Sequence, residues 1–191
     1  YGDHRDLHSF PTRRPSDLEG DIISIDVGCL YRGYYSDAAR TWPVGTVSAE
    51  ASDLVETCRE CLEAATRVTL PGGALFDIGR AVESVALPKG YSIVTEYVGH
   101  GIGTELWEEP QVPNFVPKYP EYRNIRFSPG LVIAIEPMIN CGTWRTTRTR
   151  HSWVVKTADA RLCAHWENTI AVLEKGHAVL TETAECELDE V

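Results

Sequence analysis

The sequence predicts an α+β fold whose sheet is largely antiparallel. Two strand-like runs come first, two helical patterns follow, and further strand-like runs fill the C-terminal half. Helices and strands that are segregated along the chain in this way are typical of α+β proteins. The length of 191 residues and the 43% hydrophobic content suffice for one or two domains with a buried core.

The first seventeen residues differ from the rest of the chain. Residues 1–17 show neither helical nor strand periodicity, and we expect them to form a non-native or disordered leader. From residue 18 onward apolar residues alternate, a turn signal falls at Arg32-Gly33, and a second alternating run ends at Trp42. This pattern predicts a β-hairpin, and we place the folded domain at residues 18–191.

Two helices are predicted next. Ser48 is a candidate N-cap, and apolar positions from Leu54 to Val68 recur at helical spacing. The Pro71-Gly72-Gly73 run ends this helix, and residues 74–87 carry a second helical pattern. The histidine-containing segment is predicted to be a loop at residues 99–112. The β-rich runs of the C-terminal half are residues 130–139, 151–159, 167–176 and 177–181.

The composition excludes several classes of function. The net charge of −10 argues against binding to nucleic acid or to an anionic membrane, because both need clustered lysine and arginine. No apolar run in the sequence reaches the ~20 residues that cross a bilayer. Six scattered cysteines lack the density of a disulfide-rich secreted domain, and we interpret Cys58 and Cys61 as packing residues of a helix. We therefore expect a soluble, cytoplasmic monomer.

Four acidic residues occupy unusual positions for carboxylates. Asp26 and Asp37 lie in the two arms of the predicted hairpin, Glu136 lies among apolar residues, and Glu167 directly precedes a β-rich run. Aspartate is disfavoured within strands, and a buried carboxylate is costly unless it is paired or binds metal. Each acid taken alone is also compatible with a solvent-facing edge or turn.

Together with His100, these acids have the composition of a metal site. Carboxylates with one imidazole suit Mn²⁺, Fe²⁺, Co²⁺ or Zn²⁺ better than a thiolate-rich structural zinc site does. Two divalent ions would balance the four negative charges. Because a pair of ions ~3.5–4 Å apart can share a water molecule and lower its pKa, the predicted chemistry is hydrolysis.

The motifs around these residues resemble those of a known family. The segments GDIISIDVG with YYSDAARTWPVG, GHGIG with EEPQVPNF, IAIEPMI, and AHWENTIAV occur in the order found in the type I methionine aminopeptidases. These enzymes are dinuclear metallopeptidases with the pita-bread fold. The resemblance covers roughly residues 18–181 and implies a partial catalytic domain, incomplete at its N-terminal half.

The resemblance implies roles for the same five residues. Asp37 and Glu167 would contact two metal ions, Asp26 would bind one of them, and His100 with Glu136 would bind the other. Glu136 would also act as general acid and base for the attacking water, so Glu136 and His100 are the expected catalytic residues. The expected cofactors are two divalent ions of cobalt, manganese, iron or zinc.

The implied reaction removes the N-terminal methionine from nascent peptides whose second residue is small. Nascent peptide N termini are therefore the implied partners, with ribosome association as an open alternative. An X-Pro dipeptidase of the same fold is the alternative enzyme, although Glu136-Pro137-Met138 matches the methionine enzymes better. An inactive peptide-binding remnant is the alternative from a different class.

Departures from the family pattern bear on activity. Trp107 stands where the family has a histidine that hydrogen-bonds the substrate, and an indole has one N–H donor and cannot accept a proton. The matching motifs also leave out most of the first half of the family's domain. We therefore expect Trp107 and the incomplete first half each to impair activity. His8, followed by Pro11, is a candidate substrate-facing histidine.

Overall fold

A computed structural model describes residues 18–118, 122–148 and 154–182. Predictions about residues 1–17, including His8, lie outside the described residues. The helices are α1 (Ala49–Val68) and α2 (Leu75–Ala86). The strands are β1 (Ile22–Tyr31), β2 (Tyr34–Pro43), β3 (Ser92–Ile93), β4 (Gly99–Gly101), β5 (Glu108–Val112), β6 (Val132–Ile135), β7 (Met138–Asn140), β8 (Thr146–Arg148), β9 (Val155–Thr157), β10 (Cys163–His165), β11 (Asn168–Val172) and β12 (His177–Val179).

Throughout the described part of the chain, the strands pair in antiparallel fashion. The largest sheet has the order β12-β11-β6-β4-β5, and a smaller one has the order β10-β7-β3. Strands β1 and β2 form a hairpin, and β8 pairs with β9. The α+β class predicted from the sequence is confirmed.

The predicted hairpin is present and well defined. Its ladder runs from Ile22 opposite Pro43 to Tyr31 opposite Tyr34. The two turn residues, Arg32 and Gly33, both have positive φ angles of 52° and 86°, as tight hairpin turns with the native twist require. In the described residues no strand besides β2 pairs with β1, and side chains of β1 are unusually exposed, at 58% for Val27 and 57% for Leu30.

Helix α1 begins where the sequence predicts. The Ser48 hydroxyl accepts a hydrogen bond from the Ala51 amide at 3.1 Å, which satisfies one of the unpaired amides of the first turn. Leu54, Cys58 and Cys61 recur at helical spacing and are fully buried. Both cysteines are free thiols in the core, which confirms their interpretation as packing residues.

Helix α2 packs against α1 and completes the apolar layer beneath the sheets. Its side chains Leu75, Ile78 and Val82 are fully buried in one cluster with Ile133 and Ile170 of the large sheet. Burial of each such side chain stabilises the fold by roughly 1.5–3 kcal/mol relative to exposure. This core fixes the position of β6 and β11, the strands next to the acidic residues.

The predicted loop at residues 99–112 is wrong in part, because it contains β4 and β5. Strand β4 is only three residues long and lies between β5 and β6. Its two glycines explain this position: a Cβ at Gly99 would overlap the carbonyl of Ala134, and one at Gly101 would overlap that of Glu109. Glycine therefore lets neighbouring backbones approach closely on both sides of His100.

The β-rich runs of the C-terminal half are also more divided than predicted. The run at 130–139 forms two strands, β6 and β7, which are separated by Glu136 and Pro137. Proline has no amide hydrogen to donate to a ladder, which favours a break at this point. Neither α-helix in the described ranges combines the length and apolar character needed to cross a membrane.

Candidate metal centre

Strand β2 runs alongside the segment that carries Glu167. The Asp37 amide donates to the Thr169 hydroxyl at 2.8 Å, and that hydroxyl donates to the Asp37 carbonyl at 2.8 Å. The Glu167 amide donates to the Ala39 carbonyl at 2.9 Å. These three bonds join residues more than 120 positions apart in the sequence and bring Asp37 close to Glu167.

The contact between β2 and this segment extends to His165, two residues before Glu167. The Thr41 hydroxyl donates to the His165 carbonyl and accepts from the His165 amide, both at 2.8 Å. The hydroxyl groups of Thr41 and Thr169 thus take the place of backbone hydrogen-bond partners where β2 contacts this segment. Thr41 and Thr169 could not be predicted from the sequence, because a threonine in a strand has no pattern that distinguishes this use from ordinary β propensity.

His100 presents a free ring nitrogen to the acids. Its Nδ1 lies 2.8 Å from the Gly101 carbonyl, which can only accept, so Nδ1 carries the hydrogen. The Nε2 lone pair is therefore available in the neutral ring. Nε2 lies 3.8 Å from Oδ2 of Asp37 and 3.7 Å from Oε1 of Glu136. This is the arrangement of a metal-binding histidine, whose second nitrogen is usually held by a carbonyl.

Asp37, His100 and Glu167 have the spacing of a metal-binding group. Each offers one ligand atom, and these three atoms lie within 4.8 Å of one another. Oδ1 of Asp37 is buried and has no hydrogen-bond partner among the described residues. A buried carboxylate oxygen without a partner is costly, and a cation at this position would satisfy it. The donor set therefore fits a divalent ion.

The other two predicted ligands lie beside this group. Glu136 follows β6 directly, and its Oε1 faces His100. Asp26 lies on β1 two positions from Gly28, which is paired with Asp37, so both aspartates are on the same face of the hairpin. Asp26 is more exposed than the others and lies outside the three-residue group.

The acids are crowded, and among the described residues no lysine or arginine forms a salt bridge with them. Burial raises the pKa of Glu167 to about 10, with further contributions from Glu136 and Asp37. Burial likewise raises the pKa of Glu136 to about 8, helped by Asp26 and Asp37. Arg40 lies close, but its guanidinium donates to the backbone carbonyl of Glu167 and, at 2.6 Å, to the Asn168 side chain. It therefore binds neutral oxygens rather than a carboxylate of the cluster.

For the metal-free chain we expect the free energy of unfolding to fall as the pH rises from about 5 to about 8. Glu136 and Glu167 have folded-state pKa values above the ordinary 4.5, so in this range the folded chain holds more protons than the unfolded chain. Each group can contribute up to about 1.4 kcal/mol per pH unit. Urea unfolding followed by tryptophan fluorescence measures the slope.

The matched variants for this pH prediction are Glu167→Gln and Glu109→Gln. Glu167→Gln removes a buried acid and flattens the profile, whereas Glu109 is exposed and its replacement leaves the slope unchanged. A stability that is constant or rises over the same pH range contradicts the prediction.

A cavity of about 1140 Å³ is lined by Asp26, His100 and Glu136 of the predicted ligands. Apolar side chains of Val94, Val98 and Met138 form part of its wall. Trp107 also lines the cavity but is 72% exposed, so the indole lies at the mouth rather than in the interior. The acidic residues of the lining are Asp26, Glu105, Glu108, Glu109 and Glu136, against the single lysine Lys156.

Comparisons with known proteins agree with the motifs. A sequence model of metallopeptidase family M24 matches residues 1–174. The chain is 39% identical to the methionine aminopeptidase of Clostridium acetobutylicum over 175 residues, which are 92% of this chain and 69% of that protein.

Solved structures share the fold. The crystal structure of methionine aminopeptidase from Thermotoga maritima matches with a TM-score of 0.80 and 39% identity, over 86% of this chain and 65% of that one. The prolidase from Pyrococcus furiosus matches with a TM-score of 0.67 and 26% identity, over 86% and 42%. The chain thus spans about two thirds of the length of the methionine aminopeptidases that it matches, and the pita-bread fold expected from the sequence is confirmed.

Proposed function

Since the chain belongs to metallopeptidase family M24, we propose that it is a metal-dependent aminopeptidase that removes N-terminal methionine from peptides with a small second residue. The observation that carries this proposal is the group formed by Asp37, His100 and Glu167, whose ligand atoms lie within 4.8 Å of one another. His100 of this group also lines the open cavity. The relatives named methionine aminopeptidase support the substrate class.

The proposed ligands of two divalent ions are Asp26, Asp37, His100, Glu136 and Glu167. When bound, such ions polarise a scissile carbonyl and lower the pKa of water, which favours hydrolysis at neutral pH. Carboxylate and imidazole donors suit cobalt, manganese, iron or zinc. The unpaired Oδ1 of Asp37 and the free Nε2 of His100 support this assignment.

Glu136 is the proposed general acid and base. Burial raises the pKa of its carboxyl group to about 8 in the metal-free chain, so the group can hold or release a proton near neutral pH. It would take a proton from the attacking water and pass it to the amine that leaves when the peptide bond breaks. His100, 3.7 Å away, faces the oxygen that would carry this proton.

The cavity lining supports recognition of a peptide N terminus. Acidic side chains outnumber basic ones in the lining and attract the positive charge of a free α-amino group. Val94, Val98 and Met138 offer an apolar surface for the first side chain of the peptide. An apolar residue with a free amino terminus is therefore the substrate end that this lining favours.

The test compares hydrolysis of Met-Ala-Ser with that of Ala-Pro by the chain reconstituted with Co²⁺ or Mn²⁺. We expect kcat/KM for Met-Ala-Ser to be at least ~10-fold higher, the scale of discrimination that an apolar pocket provides. Preference for Ala-Pro would instead identify an X-Pro dipeptidase. Peptide association in calorimetry without turnover would identify an inactive peptide-binding remnant.

We expect Trp107→His to raise kcat/KM for Met-Ala-Ser while the metal content stays the same. A donor that acts on the transition state commonly contributes ~10²–10³ in rate, and Trp107 is not among the proposed ligands. Trp107→Ala is the control, because it relieves the bulk of the indole without adding a donor. A kcat/KM of Trp107→His that does not exceed that of Trp107→Ala contradicts the prediction.

A nascent-peptide substrate also has consequences for where the protein acts. We propose a cytoplasmic location, with peptide N termini as partners and contact with the ribosome as they emerge. A monomer suffices for the proposed chemistry, because all five proposed ligands come from one chain.

A further inference from the structure

Glu136 lies between two imidazole rings. Its Oε1 is 3.7 Å from Nε2 of His100, and its Oε2 is 3.8 Å from Nε2 of His165. His100 belongs to the proposed ligand set, whereas the function proposed above gives His165 no part. The second ring lines the same cavity.

The backbone of His165 is held firmly next to Glu136. Its amide and carbonyl are both bonded to the Thr41 hydroxyl at 2.8 Å. On its other side it pairs with Met138, two residues beyond Glu136, in the ladder of β10 and β7. These contacts fix the backbone position from which the ring of His165 extends toward Glu136.

The ring of His165 has an unsatisfied nitrogen. Nε2 is buried and has no hydrogen-bond partner among the described residues, and leaving a buried polar atom unpaired costs roughly 1–3 kcal/mol. Oε2 of Glu136 is an acceptor within 3.8 Å of this nitrogen.

We infer that His165 is a positioning residue for Glu136: its Nε2–H donates to Oε2 and holds the carboxyl group with Oε1 directed at His100. This inference rests on the role proposed for Glu136. The two atoms are 3.8 Å apart, so an N–H···O bond requires them to approach by ~1 Å. Fixing one oxygen leaves the other free for the proton and the metal.

Imidazole ¹⁵N NMR on the metal-free chain tests the contact directly. We expect His165 to be the Nε2–H tautomer, with ring signals that shift when Glu136→Ala removes the acceptor. The ring signals of His165 are assigned as those that are absent from the spectrum of His165→Gln. An Nδ1–H tautomer, or ring signals that do not shift in Glu136→Ala, overturns the inference. This readout decides the inference even if the wild-type chain binds no metal, an outcome that would refute the proposed function alone.

Calorimetric titration with Co²⁺ tests the consequence. Loss of a hydrogen-bond partner of a ligand typically weakens metal binding 10–100-fold, so we expect this loss for His165→Leu at unchanged stoichiometry. His165→Gln places an amide nitrogen near the position of Nε2 and should restore affinity, whereas His165→Asn should not. His177→Leu, in a different cavity beside Arg40 and Trp166, is the matched control.

Two outcomes of the titration overturn the inference. Loss of one equivalent of Co²⁺ in His165→Leu, without recovery in His165→Gln, would make the ring a ligand rather than a positioning group. Equal affinity in all variants would make it a packing residue. Thermal unfolding of each variant separates loss of affinity from loss of the fold.

Discussion

Glu136→Gln is expected to lower kcat for Met-Ala-Ser by ~10²–10⁴, the usual contribution of a positioned general acid or base. Glutamine keeps the size of the side chain but can neither take a proton from water nor deliver one to the leaving amine. The substitution also removes a carboxyl group whose pKa is raised to about 8 by burial and by neighbouring acids. Steady-state kinetics at matched metal content measure the effect.

The control for this variant is Glu109→Gln, an exposed acid that lines the same cavity. It removes the same charge from the cavity and should leave kcat within a few-fold of wild type, because surface charges contribute little. A kcat for Glu136→Gln within ~10-fold of wild type would rule out the proposed proton transfer. Metal analysis of both variants shows whether the loss of rate follows loss of ions.

Asp37→Ala is expected to weaken Co²⁺ binding by more than ~100-fold, since loss of even an outer partner of a metal ligand costs up to that much. Asp37 is central because its Oδ2 faces His100 and its backbone is bonded twice to Thr169. Mass spectrometry of reconstituted, desalted protein should find about one or two ions per wild-type chain and almost none per variant.

Glu105→Ala is the control for Asp37→Ala, because it removes an exposed carboxylate from the same cavity. Its metal content should equal that of the wild type. Fewer than about one tightly bound ion in the wild type, or binding that Asp37→Ala does not affect, would refute the metal site.

The long elements of the fold could be predicted because their periodicity is local. The alternation in β1 and β2 and the helical spacing in α1 each extend over ten or more residues. Strands β4 and β10 have three residues each, too few to show a period. The predicted loop around His100 was wrong in part, because the close packing at Gly99 depends on the backbone of Ala134, which is distant in sequence.

The acidic residues of the site could be found from the sequence because carboxylates conflict with their apolar surroundings. Asp37 and Glu167 are buried, as that conflict suggests. Their convergence could not be derived from periodicity, because it depends on the alignment of β2 with the segment before β11. The two threonine bonds that set this alignment join residues 124 and 132 positions apart.

The outer edge of β1 affects how the protein behaves in concentrated solution. In the described part of the chain this edge, ten residues long and with protruding apolar side chains, pairs with no strand, and such an edge is a template for strand pairing between molecules. The net charge of −10 opposes such association by mutual repulsion. Because ions shorten the reach of this repulsion to about 8 Å at physiological ionic strength, added salt shifts the balance toward aggregation. Dilute, low-salt buffers therefore favour dispersed molecules.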